Sequence, residues 1–410
     1  MKKIYAFALA LTVGAVTANA EENANVEAFS ATEVENTTDA AATVENNADK
    51  WYAANTDEEM AEKHWALYEP KEKPSQEDKD FKYWAGTVAS RIKVTGYAQG
   101  GYEAEFKQGG NNSNTFNLSR VILMVGANIT PKFYAFFMHE FKSGKVMEYY
   151  LEYRPFNCLN IRLGQWKKNF TMENLLSPTI LESFSMSQGV YFLNGSDPLI
   201  DNTSGRDLGI QVSGKFANNH LYYVLQVVNG GQVNTADKNN QKNVIGKLEY
   251  SPNANWRIGI TGQKGYGYAM NHSVYNPDIK VGETYVQDRW SAGVEWKSKK
   301  TGTDYYKDRC ITGRTEVLGG RDGNAHSFGA YSSWTIPVYK QLDVVAEADY
   351  FNYNTDLHLK KTQLTVGAQC WVFKKCRLRA QYMYAIKSDA MKAIEGGNAH
   401  KLMAQVQVAF

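Results

Sequence analysis

The feature that most constrains this chain is an alternation of apolar and polar residues with a period of two. It recurs from about residue 90 to the last residue. Leu208, Ile210 and Val212 alternate with small or polar residues, and the last segment, 402–410, repeats the pattern. A period of two is typical of β-strands that have one apolar face. The sequence therefore predicts an all-β domain built from many such strands.

The apolar faces of these strands can meet either a soluble core or a lipid bilayer. The mean hydropathy is −0.48, and no apolar run reaches the about 18 residues of a transmembrane helix. A transmembrane β-barrel needs no such run, because its lipid-facing residues alternate with lumen-facing ones. A soluble antiparallel sandwich shows the same alternation, so a single strand does not discriminate between the two folds.

The lengths of the connections favour a barrel. Short turns alternate along the chain with longer connections, as in outer-membrane barrels with tight turns at one end and long loops at the other. The short turns lie at 128–131, 153–156, 217–219, 250–253, 335–338 and 374–375, and the longer connections at 107–114, 233–240, 269–282 and 388–397. Aromatic residues near the short turns indicate a membrane–water interface. They are Phe133, Tyr153, Phe216, Tyr250, Trp256, Trp296, Tyr339 and Phe410.

The number of strands gives a further test. The pattern marks fifteen segments from residue 91 onward, whereas a barrel with both ends on one side of the membrane needs an even number. We therefore predict a sixteenth strand near 305–313; an irregular loop throughout 299–324 would contradict it. The predicted fold class is all-β, a 16-stranded antiparallel transmembrane outer-membrane β-barrel over residues 86–410.

The N-terminal region differs from the barrel in composition. Residues 1–20 have a basic start, an apolar stretch and a final Ala18-Asn19-Ala20, which predicts a cleaved signal peptide and export. Residues 21–82 carry 17 acidic and 6 basic residues, a net charge of −11, while residues 83–410 carry 37 basic and 26 acidic residues, a net charge of +11. The segment 21–85 is therefore predicted to be an acidic, disordered periplasmic tail. A plug that docks on a basic opening is the alternative.

Two sequence blocks then resemble a known family. The block 163–173, Leu-Gly-Gln-Trp-Lys-Lys-Asn-Phe-Thr-Met-Glu, and the block 205–214, which begins Gly-Arg-Asp-Leu-Gly, are similar to motifs of the phosphate-selective porin O and P family. This resemblance implies a sixteen-stranded channel, a constriction loop folded inward between the two blocks, and a homotrimer. It also implies that Lys167 and Lys168 at the start of the loop, and Arg206 at its end, contact anions in the constriction.

Alternation also predicts the charge of the lumen. Basic residues opposite the apolar face favour anions in a narrow aqueous channel, although each can instead form a salt bridge with a neighbouring carboxylate. The predicted inward basic residues are Arg91, Lys93, Arg120, Arg154, Arg162, Lys247, Arg257, Arg377, Arg379 and Lys401. The sequence therefore predicts passive diffusion of small, phosphate-like anions through an outer membrane, with the lipid bilayer as surrounding partner.

Other functions remain open at this point. Aromatic residues of the loop, Phe170, Phe184, Tyr191 and Phe192, can present rings to a sugar or peptide, or can simply pack the loop against the wall. A closed barrel that acts as an adhesin or scaffold is a further alternative.

Enzymatic activity is not expected. The histidines are dispersed, and no nucleophile motif or phosphate-binding glycine loop is present. No cofactor, metal or nucleic-acid partner is predicted. The four cysteines are expected to be mostly unpaired, because Cys376 would lie opposite a residue near 373 rather than opposite Cys370.

Overall fold

The computed structural model describes residues 90–201, 203–231, 233–300 and 304–410. The predicted signal peptide (1–20) and acidic tail (21–85) lie outside the described residues. The strands are β1 Ile92–Lys107, β2 Ser113–Asn128, β3 Phe133–Glu140, β4 Lys145–Phe156, β5 Leu159–Lys167, β6 Arg206–Phe216, β7 Leu221–Val228, β8 Asn243–Asn253, β9 Trp256–Lys264, β10 Tyr266–Tyr268, β11 Thr284–Lys297, β12 Thr312–Asp322, β13 Ala325–Tyr339, β14 Leu342–Asn352, β15 Lys360–Phe373, β16 Cys376–Lys387 and β17 Ala399–Ala409.

These strands form one closed antiparallel sheet. Each strand pairs with its neighbours in sequence, and β1 pairs with both β2 and β17, which closes the barrel. Segments β9 and β10 belong to one wall strand, because both pair with β11. The wall therefore has sixteen strands, and the predicted fold class is confirmed.

The sixteenth strand exists but was misplaced in the prediction. It is β12, at Thr312–Asp322, rather than a strand near 305–313; residues 304–311 form turns and irregular backbone. The reason is the outward face of β12, where Gly313 and Gly319 leave only a weak apolar alternation. A strand with small outward residues gives little periodic signal, so strand parity indicated that the strand exists but hydrophobicity did not locate it.

Opposite faces of each strand differ in burial as the alternation predicts. On β16, Leu378 and Tyr382 are exposed on the outer surface, while Arg377 and Arg379 are buried inside. On β17, Val406 is exposed and Gln407 is buried. Most of the predicted interface aromatics are exposed as well; Phe133, Phe216, Tyr250, Trp256, Tyr339 and Phe410 all belong to this group. The outer surface is thus apolar and the interior polar, as in a barrel surrounded by lipid.

The two ends of the barrel differ in their connections. The turn end, where β1 begins and β17 ends, has mostly short turns, and the loop end has mostly long connections, as predicted. Three connections depart from this rule. The segment 298–311 is a long connection at the turn end, whereas residues 141–144 and 323–324 form short turns at the loop end.

The longest connection, 168–205, folds into the barrel, and we call it the inward loop. It contains a 3-10 turn at Glu173–Leu175, the short helix α1 at Gln188–Val190 and a π-helical turn at Tyr191–Gly195. Helix α2, Asp389–Glu395, lies between β16 and β17. None of the helices in the described residues is long and apolar enough to cross a membrane.

Candidate functional site

The inward loop leaves the wall through a hydrogen-bonded neck between β5 and β6. The Lys168 amide donates to the Gly205 carbonyl at 2.8 Å, and the Asn174 side-chain amide donates to the carbonyls of Lys168 and Gly205 at 2.8 and 3.1 Å. Gly205 has φ +68°, and a Cβ there would meet the Asn174 side chain at 2.1 Å. The glycine of the second sequence block is therefore required for the loop to turn into the lumen.

Arginines on β16 hold the far part of the loop by its backbone. Arg377 Nη2 donates to the Pro178 and Leu181 carbonyls at 3.2 and 2.9 Å. Arg379 Nη1 donates to the Leu181 and Ser183 carbonyls at 3.1 and 3.0 Å. Both arginines face the interior as predicted. Their donors bind loop carbonyls, so they anchor the loop instead of lining a water-filled path.

Carboxylates of the wall and loop form a second set of anchors. Glu316 accepts hydrogen bonds from the Met172 and Glu173 amides at 2.7 and 3.1 Å. The Arg314 guanidinium donates a bidentate pair of hydrogen bonds to the Glu182 carboxylate of the loop, with N–O distances of 2.8 and 3.1 Å. Burial and the nearby Glu347 carboxylate raise the pKa of Glu173 well above its usual value. The carboxyl of Glu173 accepts from the amide and hydroxyl of Ser187.

An apolar core fills the interior between the loop and the wall. Phe170, Val190 and Phe192 of the loop pack with Phe351 of β14, and the rings of Phe192 and Phe351 are 5.6 Å apart. Phe170 and Phe192 are buried, so they are not offered to a sugar or peptide. Their role is the alternative considered from sequence, in which the aromatics pack the loop against the wall.

The other two loop aromatics behave differently. Phe184 lies under the Arg379 guanidinium, whose central carbon is 4.2 Å from the ring centroid. Tyr191 is exposed. Neither joins an aromatic surface with Phe170 and Phe192, so the structure does not bring the four predicted rings together.

The three predicted constriction residues lie together at the neck of the loop. Lys167 and Arg206 are register partners on β5 and β6. Lys167 Nζ donates to the Leu176 carbonyl at 2.6 Å, and Arg206 forms an ion pair with Glu148 at 2.7 Å. Lys168 is buried, and this burial lowers the pKa of its ammonium despite the nearby Asp207 carboxylate. Lys167 and Arg206 therefore have protein partners, and Arg206 and Lys168 are buried.

The partners of the remaining predicted basic residues are mostly carboxylates, and in one case a side-chain amide. Lys247 pairs with Glu249, Arg257 with Glu295, Lys401 with Glu103, and both Arg154 and Arg162 with Glu152. Arg120 donates to the Gln99 side chain at 3.2 Å.

Arg91 and Lys93 lie near the beginning of β1. Lys93 is half-buried on that strand. Arg91 precedes β1 and is exposed, so the alternation rule, which applies only within a strand, does not determine its direction, and its inward position remains a prediction.

Exposure separates the interior into two regions. We call the inward face of β1–β5 the open side and that of β6–β16 the filled side. On the open side, the side chains of Glu103, Arg154 and Arg162 are 35%, 26% and 19% exposed. On the filled side, those of Arg289 and Arg314 are 1% and 2% exposed. The inward loop and its apolar core therefore bury the filled side, whereas the open side, which the loop contacts at Gln99 of β1, keeps several partly exposed charged side chains.

The long connection at the turn end also enters the interior. Arg309 donates to the inward-facing Asp343 at 2.6 Å, and the Tyr305 ring stacks on Trp371 with centroids 5.0 Å apart. Trp371 itself donates to Asp343 at 2.7 Å. This segment covers part of the filled side at the turn end. The sequence analysis missed it because residues 305–311 were assigned to a strand.

A set of inward aromatics on the open side was also missed. Tyr134 and Phe136 of β3, Tyr150 of β4 and Trp166 of β5 share the inward parity of their strands. Neighbouring centroids in this set lie 5.3 to 6.4 Å apart. Alternation could have found them, since Tyr150 lies between the inward carboxylates Glu148 and Glu152.

The four cysteines, Cys158, Cys310, Cys370 and Cys376, are free thiols in this structure. Cys376 is the register partner of Phe373, as predicted, and Cys370 is that of Leu378.

Comparison with known proteins identifies the fold. No family model and no curated protein matches the chain. Among solved structures, OprB of Pseudomonas putida has a TM-score of 0.56 at 10% identity, covering 80% of this chain and 97% of OprB. The outer membrane channel DcaP of Acinetobacter baumannii has a TM-score of 0.54 at 9% identity, with 77% and 97% covered.

A third neighbour is OmpT, an outer membrane protein of Vibrio cholerae, in its trimer form. Its TM-score is 0.53 at 12% identity, covering 78% of this chain and 100% of OmpT. The chain has the fold of these outer-membrane barrels. The resemblance to the phosphate-selective O and P family finds no support beyond this fold and remains a prediction.

Proposed function

We propose that this protein is a passive outer-membrane channel for small anions. The observation that carries the proposal is the charge of the accessible side of the interior. The side chains of Arg154 and Arg162 are 26% and 19% exposed, and the oxygens that bind Arg120 and Lys167 belong to a side-chain amide and a backbone carbonyl, which carry no charge. Positive charge on this side is therefore only partly neutralised, and a narrow lumen of this kind attracts anions.

The same proposal specifies the membrane in which the protein lies and its orientation there. The apolar outer surface lies in the lipid bilayer of a bacterial outer membrane, the turn end faces the periplasm and the loop end faces the exterior. The signal peptide directs export, and the acidic tail remains periplasmic. The channel works as a homotrimer, as the trimer form of the Vibrio cholerae neighbour suggests. Transport by diffusion needs no cofactor and no catalytic residue.

Selectivity for phosphate itself is the finer part of the proposal. Phosphate-like solutes are small, carry negative charge and accept hydrogen bonds from guanidinium groups. Arg120, Arg154 and Arg162 are the half-buried guanidinium groups of the open side. The proposed path therefore runs along the open side past Arg162, rather than through the neck residues Lys167, Lys168 and Arg206 alone.

The test is the reversal potential of single channels in a potassium chloride gradient. Arg120→Gln removes an inward positive charge, and Arg321→Gln is a matched control because Arg321 points outward and pairs with Asp288. We expect Arg120→Gln to lower the anion-to-cation permeability ratio by up to about fivefold, corresponding to about 1 kcal/mol between unit charges about 4 Å apart in water. The control should leave the ratio as in the parent. A parent channel that prefers cations would contradict the proposal.

A second candidate function is favoured by the filled side. The inward loop and residues 304–311 occupy part of the interior, as expected of a closed barrel that acts as a scaffold or adhesin. Complete absence of conductance in correctly folded protein would favour this candidate over the channel.

A further inference from the structure

We propose that Arg309, in the connection between β11 and β12, is a positioning residue for the inward loop. Arg309 neutralises Asp343 of β14 and thereby leaves Arg377 of β16 bound to the loop. The loop is held at the neck from the wall, and this inference adds a second control from the turn end. Its consequence for conduction rests on the proposed channel, whereas its consequence for the order of the loop does not.

Asp343 is a carboxylate removed from water at the turn end of the filled side. Its side chain is 3% exposed, and Arg309 Nη1 donates to Oδ1 at 2.6 Å. The other oxygen, Oδ2, accepts from Trp371 Nε1 at 2.7 Å and from Gln369 Nε2 at 3.1 Å. These last two donors are neutral, so Arg309 supplies the charge that compensates the carboxylate. A buried carboxylate that loses its charged partner is strongly destabilised.

The two neutral neighbours of Asp343 also contact Arg377. Arg377 Nη1 donates to the Gln369 side-chain oxygen at 2.6 Å, and the central carbon of the guanidinium lies 5.1 Å from the Trp371 centroid. The strand register explains this proximity, because Asp343 pairs with Gln369, and Trp371 pairs with Arg377. A buried negative charge and a buried positive charge therefore share the same two neighbouring side chains.

The contacts of Arg377 with the loop involve uncharged acceptors. Its Nη2 donates to the Pro178 and Leu181 carbonyls at 3.2 and 2.9 Å, and the arginine is 1% exposed. In such a buried place a carboxylate without a partner attracts a guanidinium more strongly than neutral carbonyls do. If Asp343 loses Arg309, the guanidinium of Arg377 is drawn towards it and the loop carbonyls lose their donor.

The segment 304–311 has anchors other than this ion pair. The Ser298 amide donates to the Ile311 carbonyl at 2.9 Å, and the Ile311 amide donates to the Ser298 hydroxyl at 3.1 Å. The Tyr305 ring stacks on an indole of the wall. Because these contacts remain, loss of the Arg309 contact acts mainly on the carboxylate that it leaves unpaired.

The test measures backbone amide exchange in the inward loop of the full-length protein in detergent. The amides of Ile180 and Leu181 donate to the Ser177 carbonyl at 3.0 and 3.1 Å, so their hydrogen–deuterium exchange reports the order of the loop. We expect Arg309→Gln to speed this exchange about tenfold, the scale of one lost hydrogen bond from a charged donor. Arg309→Lys keeps the positive charge and should leave the exchange close to that of the parent.

Two further variants separate charge neutralisation from a merely structural role. Asp343→Asn removes the carboxylate, so Arg377 stays on the loop and the exchange should match the parent. The double variant Arg309→Gln/Asp343→Asn should match it as well, because no unpaired carboxylate remains to attract Arg377. A purely structural role of the ion pair predicts faster exchange in all three variants and would overturn the inference.

The matched control is Lys307→Gln. Lys307 belongs to the same segment, its side chain is 78% exposed and its Nζ lies 3.9 Å from Asp304, so its loss should leave the loop exchange unchanged. If Arg309→Gln alone does not fold, a double variant that folds with parental exchange supports the inference, and a double variant that does not fold overturns it.

Single-channel recording gives a second readout. The loosened loop of Arg309→Gln should increase fluctuations of the open-channel current, whereas the double variant and Lys307→Gln should match the parent. Unchanged loop exchange in folded Arg309→Gln, or equal acceleration in Lys307→Gln, would overturn the inference. Anion-selective conductance in that case would leave the proposed channel standing. The expected exchange pattern without any conductance would instead overturn the channel and keep Arg309 as a positioning residue.

Discussion

The open and filled sides of the interior are built from the same kind of strand but have different partners. On the filled side, inward side chains such as Arg314 and Arg377 are bound to the inward loop and are removed from water. On the open side, Arg154 of β4 and Arg162 of β5 bind the Glu152 carboxylate of β4 and stay partly exposed. A buried arginine therefore identifies where the loop goes, and a partly exposed one marks the path of the proposed channel. The predictions below test this division.

The largest effect is expected for the loop anchor Arg314. Replacing it by Ala leaves the buried carboxylates of Glu182 and Glu295 without this partner. Removing one partner of a buried ion pair costs about 3–5 kcal/mol. We expect Arg314→Ala to lower the free energy of unfolding in detergent by about this amount, measured by denaturant titration. The loosened loop should also raise single-channel conductance.

The control for this variant is Arg321→Ala. Arg321 is 42% exposed and pairs with Asp288 outside the lumen, so its loss should change the free energy of unfolding by less than about 1 kcal/mol. Equal losses in the two variants would show that Arg314 does not anchor the loop.

The contrast between the two sides also shows what the sequence alone can predict. Alternation placed Arg377, Arg379 and Arg162 on the inner face, because side-chain direction in a strand depends only on local parity. It could not tell which of them would be bound by the loop. The loop has no period, and the pair formed by Glu182 and Arg314 joins residues 132 positions apart.

The neck of the loop was predicted in part. The two sequence blocks correctly brought Lys167 and Arg206 together at its base. Their assignment to anion contact remains a prediction, because Lys167 is bound to the Leu176 carbonyl of the loop and Arg206 to Glu148 of β4. The alternation rule could have identified Tyr150 as an inward residue of β4. Its contact with Arg162 needed the strand register as well, which no short sequence pattern specifies.

A pH effect of intermediate size is expected at Glu173 on the filled side. Burial and the Glu347 carboxylate raise the pKa of Glu173, against the opposing effects of Arg314 and Ser187; Glu316 also lies close by. A carboxyl whose pKa is raised on folding adds stability below its unfolded-state pKa, and this stability is lost as pH rises through the folded pKa. Glutamine does not titrate. We therefore expect the Glu173→Gln variant to lose less thermal stability than the parent protein when the pH is raised above about 4.5.

The pKa of Asp389 in α2 is shifted in the opposite direction to that of Glu173, so the Asp389→Asn variant serves as a comparison for Glu173→Gln. A hydrogen bond and charge interaction with Lys392 lower the pKa of Asp389. Its contribution is therefore present above the unfolded-state pKa and is lost as pH falls. Asp389→Asn should reduce the loss of stability on acidification. Thermal unfolding followed by circular dichroism across this pH range measures both variants, and the same sign in both would refute the assignment of Glu173.

The smallest effect is expected for Lys401, which joins β17 to the open side. Lys401 Nζ lies 3.0 Å from Glu103, and the two side chains are 25% and 35% exposed. Water screens such a pair, so Lys401→Ala should cost less than about 1 kcal/mol in the free energy of unfolding. It should nevertheless shift the reversal potential towards cations, because Glu103 then faces the accessible side without this partner. A stability loss as large as that of Arg314→Ala would mean that the open side is as closed as the filled side.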